Sequence, residues 1–253
     1  MAGIGKRFTE AGYTIPKPFL PVGRKTMIQA VVSNFHHHQF FFTFVVNKNQ
    51  LDVFEFKAHM ATSLQNFNVV EIDYVPQGPA ASSMLAVEKL NPEDPLIITN
   101  CDQIIEDFNP KTFLSFCETH DADGVLGVFY SDSPKNSYVK MLNNRITNVK
   151  EKEVISNVAT NGLHYWKRAC YFINSMDEMQ AAGDTVNGEY YVAPSYNYLA
   201  MRGGNILPYW FNLHYPIGTP ADYEAYKQLR YNEKKNSDNL QRPDTNQFSE
   251  HYP

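Results

Sequence analysis

Four apolar runs, set apart by segments that read as helices, constrain this chain more than any other feature. Residues 40–46 (FFFTFVV), 69–75 (VVEIDYV), 96–99 (LIIT) and 124–130 (GVLGVFY) are rich in β-branched and aromatic side chains, which suit strands. Residues 26–35, 51–64, 79–90 and 110–120 fall around them and read as helices. Pro79 and Pro110 each fit a first helical turn, where the absent N–H costs nothing. Strands that are apolar along their whole length are buried on both faces. Alternating with helices, they predict an α/β fold with a mixed, mostly parallel sheet and helices on both sides.

The rhythm changes near residue 135. Residues 138–142, 145–149 and 162–166 read as short strands, the first two joined by an Asn143-Asn144 turn. Helices are expected over 167–182 and 190–201, the second ending at Gly203-Gly204. Residues 205–211 suit a last strand. Thr219 and Pro220 then open a helix through about 229, as N-cap and first helical residue. From 230 to 253 polar residues dominate, and a disordered tail is expected. The expected plan is one domain over 1–229, divided at about 135, and then the tail.

Composition removes several function classes. A net charge of -5 excludes a generally basic nucleic-acid binder, though not a local basic pocket. No apolar run approaches the roughly 18 residues that cross a bilayer, so no membrane role is expected. The three cysteines are odd in number and form no CxxC pair, which suits a reduced, cytoplasmic setting. A homo-oligomer stays possible.

Several residues could carry chemistry. Gly3-x-Gly5-x-Arg7 can let the backbone approach a phosphate while Arg7 bonds two oxygens, or can be an ordinary turn. Lys17 lies between Pro16 and Pro18 on a stiff, extended backbone, able to meet the same phosphate or to stay solvated. A phosphate loop of this kind follows a buried strand that aims its N–H groups. No such strand stands ahead of Gly3 here, so either the chain starts at an internal methionine or the sheet lacks a central strand. Asp102 follows the apolar run LIITN, where open α/β sheets bind ligands, and reads as a metal ligand or a turn residue. Gln77 suits a nucleotide base edge or a plain loop. Glu151 and Lys152 fall in a charged run that is usually solvated. His36-His37-His38 reads as a surface turn, and Cys101 as a small apolar residue.

The stretch MAGIGKRFTEAGYTIPKPFLPV resembles the signature loop of sugar-1-phosphate nucleotidylyltransferases, the NDP-sugar pyrophosphorylases, of the form G-x-G-x-R-F…P-K-P-x-x-x-V. Other family segments follow in order over about residues 1–229. Gln77-Gly78-Pro79-Ala80-Ala81 is similar to the base-reading turn, and Thr99-Asn100-Cys101-Asp102 to the strand end that binds metal. Glu151-Lys152, Ala159-Thr160-Asn161-Gly162, Asn187-Gly188-Glu189-Tyr190-Tyr191 and Gly218-Thr219-Pro220-Ala221-Asp222 are similar to later segments.

The resemblance implies a nucleotide-binding fold of the GT-A type, Rossmann-like, with a small β-rich sugar-binding part over 136–229. It implies the reaction of an NTP with a sugar 1-phosphate to give an NDP-sugar and pyrophosphate, serving surface polysaccharide or glycoconjugate synthesis. Gly3, Gly5, Gln77 and Gly78 would bind nucleotide, Arg7 and Lys17 would be catalytic, and Asp102 would hold Mg²⁺. Glu151, Lys152, Asn161, Gly162 and Glu189 would bind the sugar phosphate, although Glu189 also suits a helix cap. Family members often carry a second metal-binding aspartate where this chain has Pro216, and Asp222 is better placed to favour a helix N-terminus. The alternatives are a cytidylyltransferase for a non-sugar phosphate, a glycosyltransferase, or a non-catalytic nucleotide-binding paralogue. The triplet Cys101-Asp102-Gln103 in place of D-x-D counts against the glycosyltransferase.

Overall fold

The computed structural model describes Gly3, residues 5–35 and residues 40–240, the last five through their backbone alone. His36-His37-His38 and residues 241–253 lie outside the described residues. In chain order the elements are α1 (Lys6–Glu10), a 3-10 turn (Lys17–Phe19), β1 (Pro21–Val22), β2 (Lys25–Thr26), α2 (Met27–Ser33), β3 (Phe42–Asn47) and α3 (Val53–Ala61). Then come β4 (Phe67–Ile72), α4 (Pro79–Val87), β5 (Leu96–Thr99), β6 (Gln103–Ile105), α5 (Pro110–Thr119) and β7 (Gly124–Tyr130). The rest are β8 (Ser137–Leu142), β9 (Arg145–Glu151), β10 (Val158–Trp166), α6 (Ala169–Ala181), α7 (Val192–Met201), β11 (Ile206–Trp210), β12 (His214–Pro216) and α8 (Pro220–Leu240).

Local chemistry sets most helix starts. Thr26 and Gln29 form a reciprocal capping box on α2. Asp52 accepts from the Glu55 N–H on α3, and Asn109 from the Thr112 N–H on α5. Thr219 accepts from the Asp222 N–H and donates its hydroxyl to the Asp222 carboxylate, so Asp222 serves the start of α8.

The strands form an α/β architecture with a mixed central sheet. Its order is β11-β7-β10-β8-β9, and β5 pairs with Leu163–Trp166 of β10 on the edge opposite β7. β10 is antiparallel to β5, β7 and β8, and β11 is parallel to β7. Thus β5, β7, β8 and β11 share one direction, and the reversed β10 threads between them. β3 and β4 make a separate parallel pair, and β6 pairs with β12. Every residue of β10 is buried, and its Trp166 stacks on Tyr196 of α7 with ring centroids 3.9 Å apart. The β8–β9 turn has both Asn143 and Asn144 at positive φ, as a primed hairpin turn requires.

Several expectations need correction. β10 starts at Val158 rather than at 162, because a register shift between Thr160 and His164 lets one strand run through the irregular Asn161-Gly162 step. The β6–β12 pair was not foreseen; three-residue strands leave no readable alternation. β4 ends at Ile72 rather than 75, since the Asp73 and Tyr74 carbonyls accept from Asn49 and Asn47 side chains instead of a neighbouring strand. The expected disordered tail is helical as far as Leu240. Lys, Glu, Gln and Arg are good helix formers, and Arg230 pairs with both Glu233 and Glu106. No described helix is long and apolar enough to cross a membrane.

Candidate active site

A cavity of about 1490 Å³ runs beside Phe42–Val45 of β3 and along β5 to the loop past its C-terminal end, and its wall includes Gly3, Gly5, Lys17, Gly78, Asp102 and Glu189. This is where open α/β sheets take their ligands. The 3-10 turn holds Lys17 so that its Nζ donates to Asp102 Oδ2 at 2.5 Å and to the Gly218 carbonyl at 3.0 Å. The two side chains are 20% and 27% exposed, so a ligand can reach both. Ile217 donates its N–H to the Asp102 carbonyl, seating the Gly218 segment against the aspartate. A Cβ on Gly218 would lie 2.9 Å from Asp102 Oδ2; only glycine allows this approach without moving the carboxylate.

Arg7 sits on α1 and makes no ion pair among the described residues. It is exposed and does not line the cavity wall. Its positive field nevertheless reaches the Tyr191 hydroxyl and opposes the rise in that group's pKa. Burial, followed by the hydrogen bond to Glu189, produces that rise.

A backbone clamp joins residues 77–80 to residues 188–190. The Gln77 carbonyl accepts from the Tyr190 N–H, and the Tyr190 carbonyl accepts from the Ala80 N–H. Gln77 Nε2 donates to the Gly188 carbonyl at 2.9 Å, so the amide expected at a base edge also ties down the 187–190 turn. Gly78 has φ 98°, and a Cβ there would come within 2.6 Å of the Tyr190 carbonyl oxygen.

The clamp presents a polar cluster. Tyr191 donates its hydroxyl to Glu189 Oε2 at 2.5 Å and receives a hydrogen bond from Lys152 Nζ. That ammonium also lies 4.3 Å from the centre of the Tyr191 ring. Ser137 donates its hydroxyl to Glu151. Burial raises the Glu151 carboxyl above its ordinary pKa, the Glu189 charge adds to the rise, and Ser137 and Lys152 oppose it. Lys152 has φ 56°, a turn conformation that carries the chain from β9 toward Tyr191.

Of the residues singled out in the sequence, Glu151, Lys152 and Glu189 come together here. Glu189 does not cap the next helix: α7 starts at Val192 after Tyr191, with no side-chain cap. Asn161 and Gly162 stand apart from the cavity wall. Asn161 is buried with its Nδ2 unpaired, and Gly162 makes room for the Asn100 amide at φ 81°. Tyr191, Ser137 and Gly218 were not foreseen as site residues. Tyr191 and Gly218 lie inside recognised segments, but nothing in their spacing marks the side chain or the close approach.

Among the described residues no three His, Cys, Asp or Glu side chains gather as a metal cluster. Pro216 is paired with Gln103 in the β6–β12 ladder, and Asp222 is engaged by Thr219. The donor set is thus Asp102 alone. One carboxylate fits a cation such as Mg²⁺, which keeps several waters and takes its other ligands from substrate phosphates.

The sequence profile described as nucleotidyl transferase matches residues 1–224. No curated protein matches significantly. Among solved structures, the chain is similar to a nucleoside-diphosphate-sugar pyrophosphorylase from Vibrio cholerae at 24% identity and TM-score 0.78, covering 90% of this chain and 98% of that one. It is similar to a UDP-glucose pyrophosphorylase complexed with UDP-glucose at 19% identity and TM-score 0.73, covering 91% and 96%. It is also similar to the inositol-1-phosphate CTP transferase from T. maritima at 19% identity and TM-score 0.69, covering 90% and 91%. These likenesses establish the shared fold.

Proposed function

Since this chain belongs to the nucleotidyl transferase family, we propose that it joins the nucleoside monophosphate of an NTP to a sugar 1-phosphate, giving an NDP-sugar and pyrophosphate. The observation that carries this reading is one cavity whose wall bears Gly3, Gly5, Lys17, Asp102 and Glu189 together. Residues 1–135 take the nucleotide in this reading, and 136–229 take the acceptor.

An oxygen of the sugar phosphate attacks the α-phosphorus in line. The new P–O bond forms, the bond to the bridging oxygen breaks, and pyrophosphate leaves with the electron pair. The nucleophile is already an anion, so no side chain has to remove a proton. The work lies in bringing two polyanions together and steadying the charge at phosphorus. The Gly3–Gly5 backbone and Arg7 hold the triphosphate. Lys17 turns from Asp102 to the α-phosphate, and Asp102 is the group that would then hold a divalent cation. That cation, when bound, neutralises phosphate charge. Lys152 meets the sugar phosphate, with Tyr191 and Glu189 fixing its position, and Glu151 accepts from a sugar hydroxyl.

Pyrophosphate release tests the reading, with Mg²⁺, each of the four NTPs and a panel of sugar 1-phosphates. Turnover with at least one pair is expected, and none with any pair removes it. The likeness to the T. maritima enzyme supports adding inositol 1-phosphate to the panel. Turnover with that acceptor alone would move the substrate class to phosphorylated cyclitols.

A further inference from the structure

Gln77 sits between two residues of the cavity wall without joining it. Pro76 and Gly78 line the cavity, and Gln77 does not. Its Nε2 is directed at the carbonyl of Gly188, which is likewise off the wall, and donates to it at 2.9 Å. We propose that Gln77 is a positioning residue for the acceptor and not a reader of the nucleotide base. Its amide fixes the turn that carries Glu189 and Tyr191. The proposal rests on the reading above, in which Lys152, Tyr191 and Glu189 meet the acceptor.

The turn is built so that this one bond matters. Val186 and Glu189 exchange both backbone hydrogen bonds, at 3.0 and 3.1 Å. Asn187 and Gly188 between them have φ 52° and 76°, as a two-residue primed turn requires. The Val186–Glu189 exchange does not use the Gly188 carbonyl, which is left for Gln77. On the far side of Glu189, the Tyr190 N–H donates to the Gln77 carbonyl at 2.9 Å, and the Tyr190 carbonyl accepts from Ala80 at 3.0 Å. The backbone of Glu189 is therefore gripped from both sides by the segment that starts α4.

What is gripped leads to the acceptor side. Glu189 lines the cavity and accepts from the Tyr191 hydroxyl at 2.5 Å, and that hydroxyl receives a hydrogen bond from Lys152. Gln77 thus stands at the head of a chain of side-chain bonds that ends on the ammonium assigned to the sugar phosphate. Without its Nε2, the Gly188 carbonyl loses a fixed donor, and the Asn187-Gly188 turn can swing. Glu189 and Tyr191 then lose part of their preorganisation. The nucleotide side loses less, because Gly78 still packs against the Tyr190 backbone. A base reader would aim its amide into the cavity, where donor and acceptor could meet a base edge.

Gln77→Met tests this, since it keeps the length of the side chain and removes the donor. Two quantities are read: the separate KM values for NTP and sugar 1-phosphate, and hydrogen exchange at the Glu189 and Tyr190 amides. The acceptor KM is expected to rise about three- to tenfold, the size of one lost hydrogen bond. The KM for NTP and the order of preference among the four NTPs should stay as in the parent. Exchange at the two amides should quicken about threefold or more, with β3 unchanged. A raised KM for NTP, an altered NTP preference, an unchanged acceptor KM or unchanged exchange would each overturn the proposal. If Gln77→Met does not fold, Gln77→Glu gives the same readouts, because its carboxylate cannot donate to the carbonyl. If the parent turns over no pair of substrates, the proposed reaction fails on its own, and exchange decides the positioning role: faster exchange confined to 186–191 supports it, and parental rates overturn it.

Discussion

Lys17 and Asp102 share one short hydrogen bond, and each is the other's charge partner at the cavity wall. Removing either therefore tests two things, its own role and the release of its partner. Lys17→Ala should lower turnover by more than about tenfold while far-UV circular dichroism stays the same; an unchanged rate would mean the lysine does not touch the reacting phosphate. Asp102→Asn should raise the Mg²⁺ concentration that gives half-maximal rate. Superimposable metal titrations would take Asp102 out of any metal site. Tyr191→Phe keeps the ring beneath Lys152 but removes the hydroxyl that joins Lys152 to Glu189. The expected result is a severalfold higher KM for the acceptor with kcat little altered, read from steady-state kinetics. An unaffected KM would leave Tyr191 as packing alone.

At the scale of elements, legibility followed the strength of the local signal. β5 and β7 match their expected bounds because four to seven consecutive apolar residues between turn residues admit little else. The β8–β9 hairpin was readable from two asparagines that tolerate positive φ. By contrast β6, β12 and the early start of β10 depend on partners far away in sequence, which no local pattern shows. The clamp between 77–80 and 188–191 is of the same kind. The resemblance marked both segments, but that they grip each other through Gly78 is a tertiary fact. Gly78→Ala should cost about 1–3 kcal/mol in chemical denaturation, because φ 98° with ψ 176° is tolerated by glycine and the added methyl meets Tyr190 backbone. A variant as stable as the parent would show that the clamp yields without strain.

For the whole molecule, burying neutral histidines makes stability depend on pH. Burial pushes His164 down to about 3, and its Nδ1 is buried without a partner. Burial likewise lowers His214 to about 4, partly offset by Asp107. The unfolded chain takes up these protons near pH 6.5, whereas the fold refuses them until pH 3–4. Stability is thus fully present above about 6.5 and falls as pH drops through that window, by up to about 1.4 kcal/mol per pH unit for each histidine. His164→Leu should flatten the fall between pH 6 and 4 in urea titrations, and an identical slope would contradict the assignment. The alternation of strands and helices foretold the α/β architecture at this scale, and the recognised segments foretold where Lys17 and Asp102 would converge. What the sequence left hidden is the partner that Lys17 takes in the fold, the Asp102 carboxylate.

The central claim is that Arg7, Lys17 and Asp102 serve one triphosphate. A crystal structure of the protein with a non-hydrolysable NTP and Mn²⁺ addresses it most directly. The account predicts phosphates along Gly3–Gly5, the Arg7 guanidinium on their oxygens, Lys17 Nζ moved from Asp102 to the α-phosphate, and an anomalous manganese peak at the Asp102 carboxylate. A nucleotide bound elsewhere, or a manganese peak away from Asp102 with Lys17 still paired to it, would contradict it.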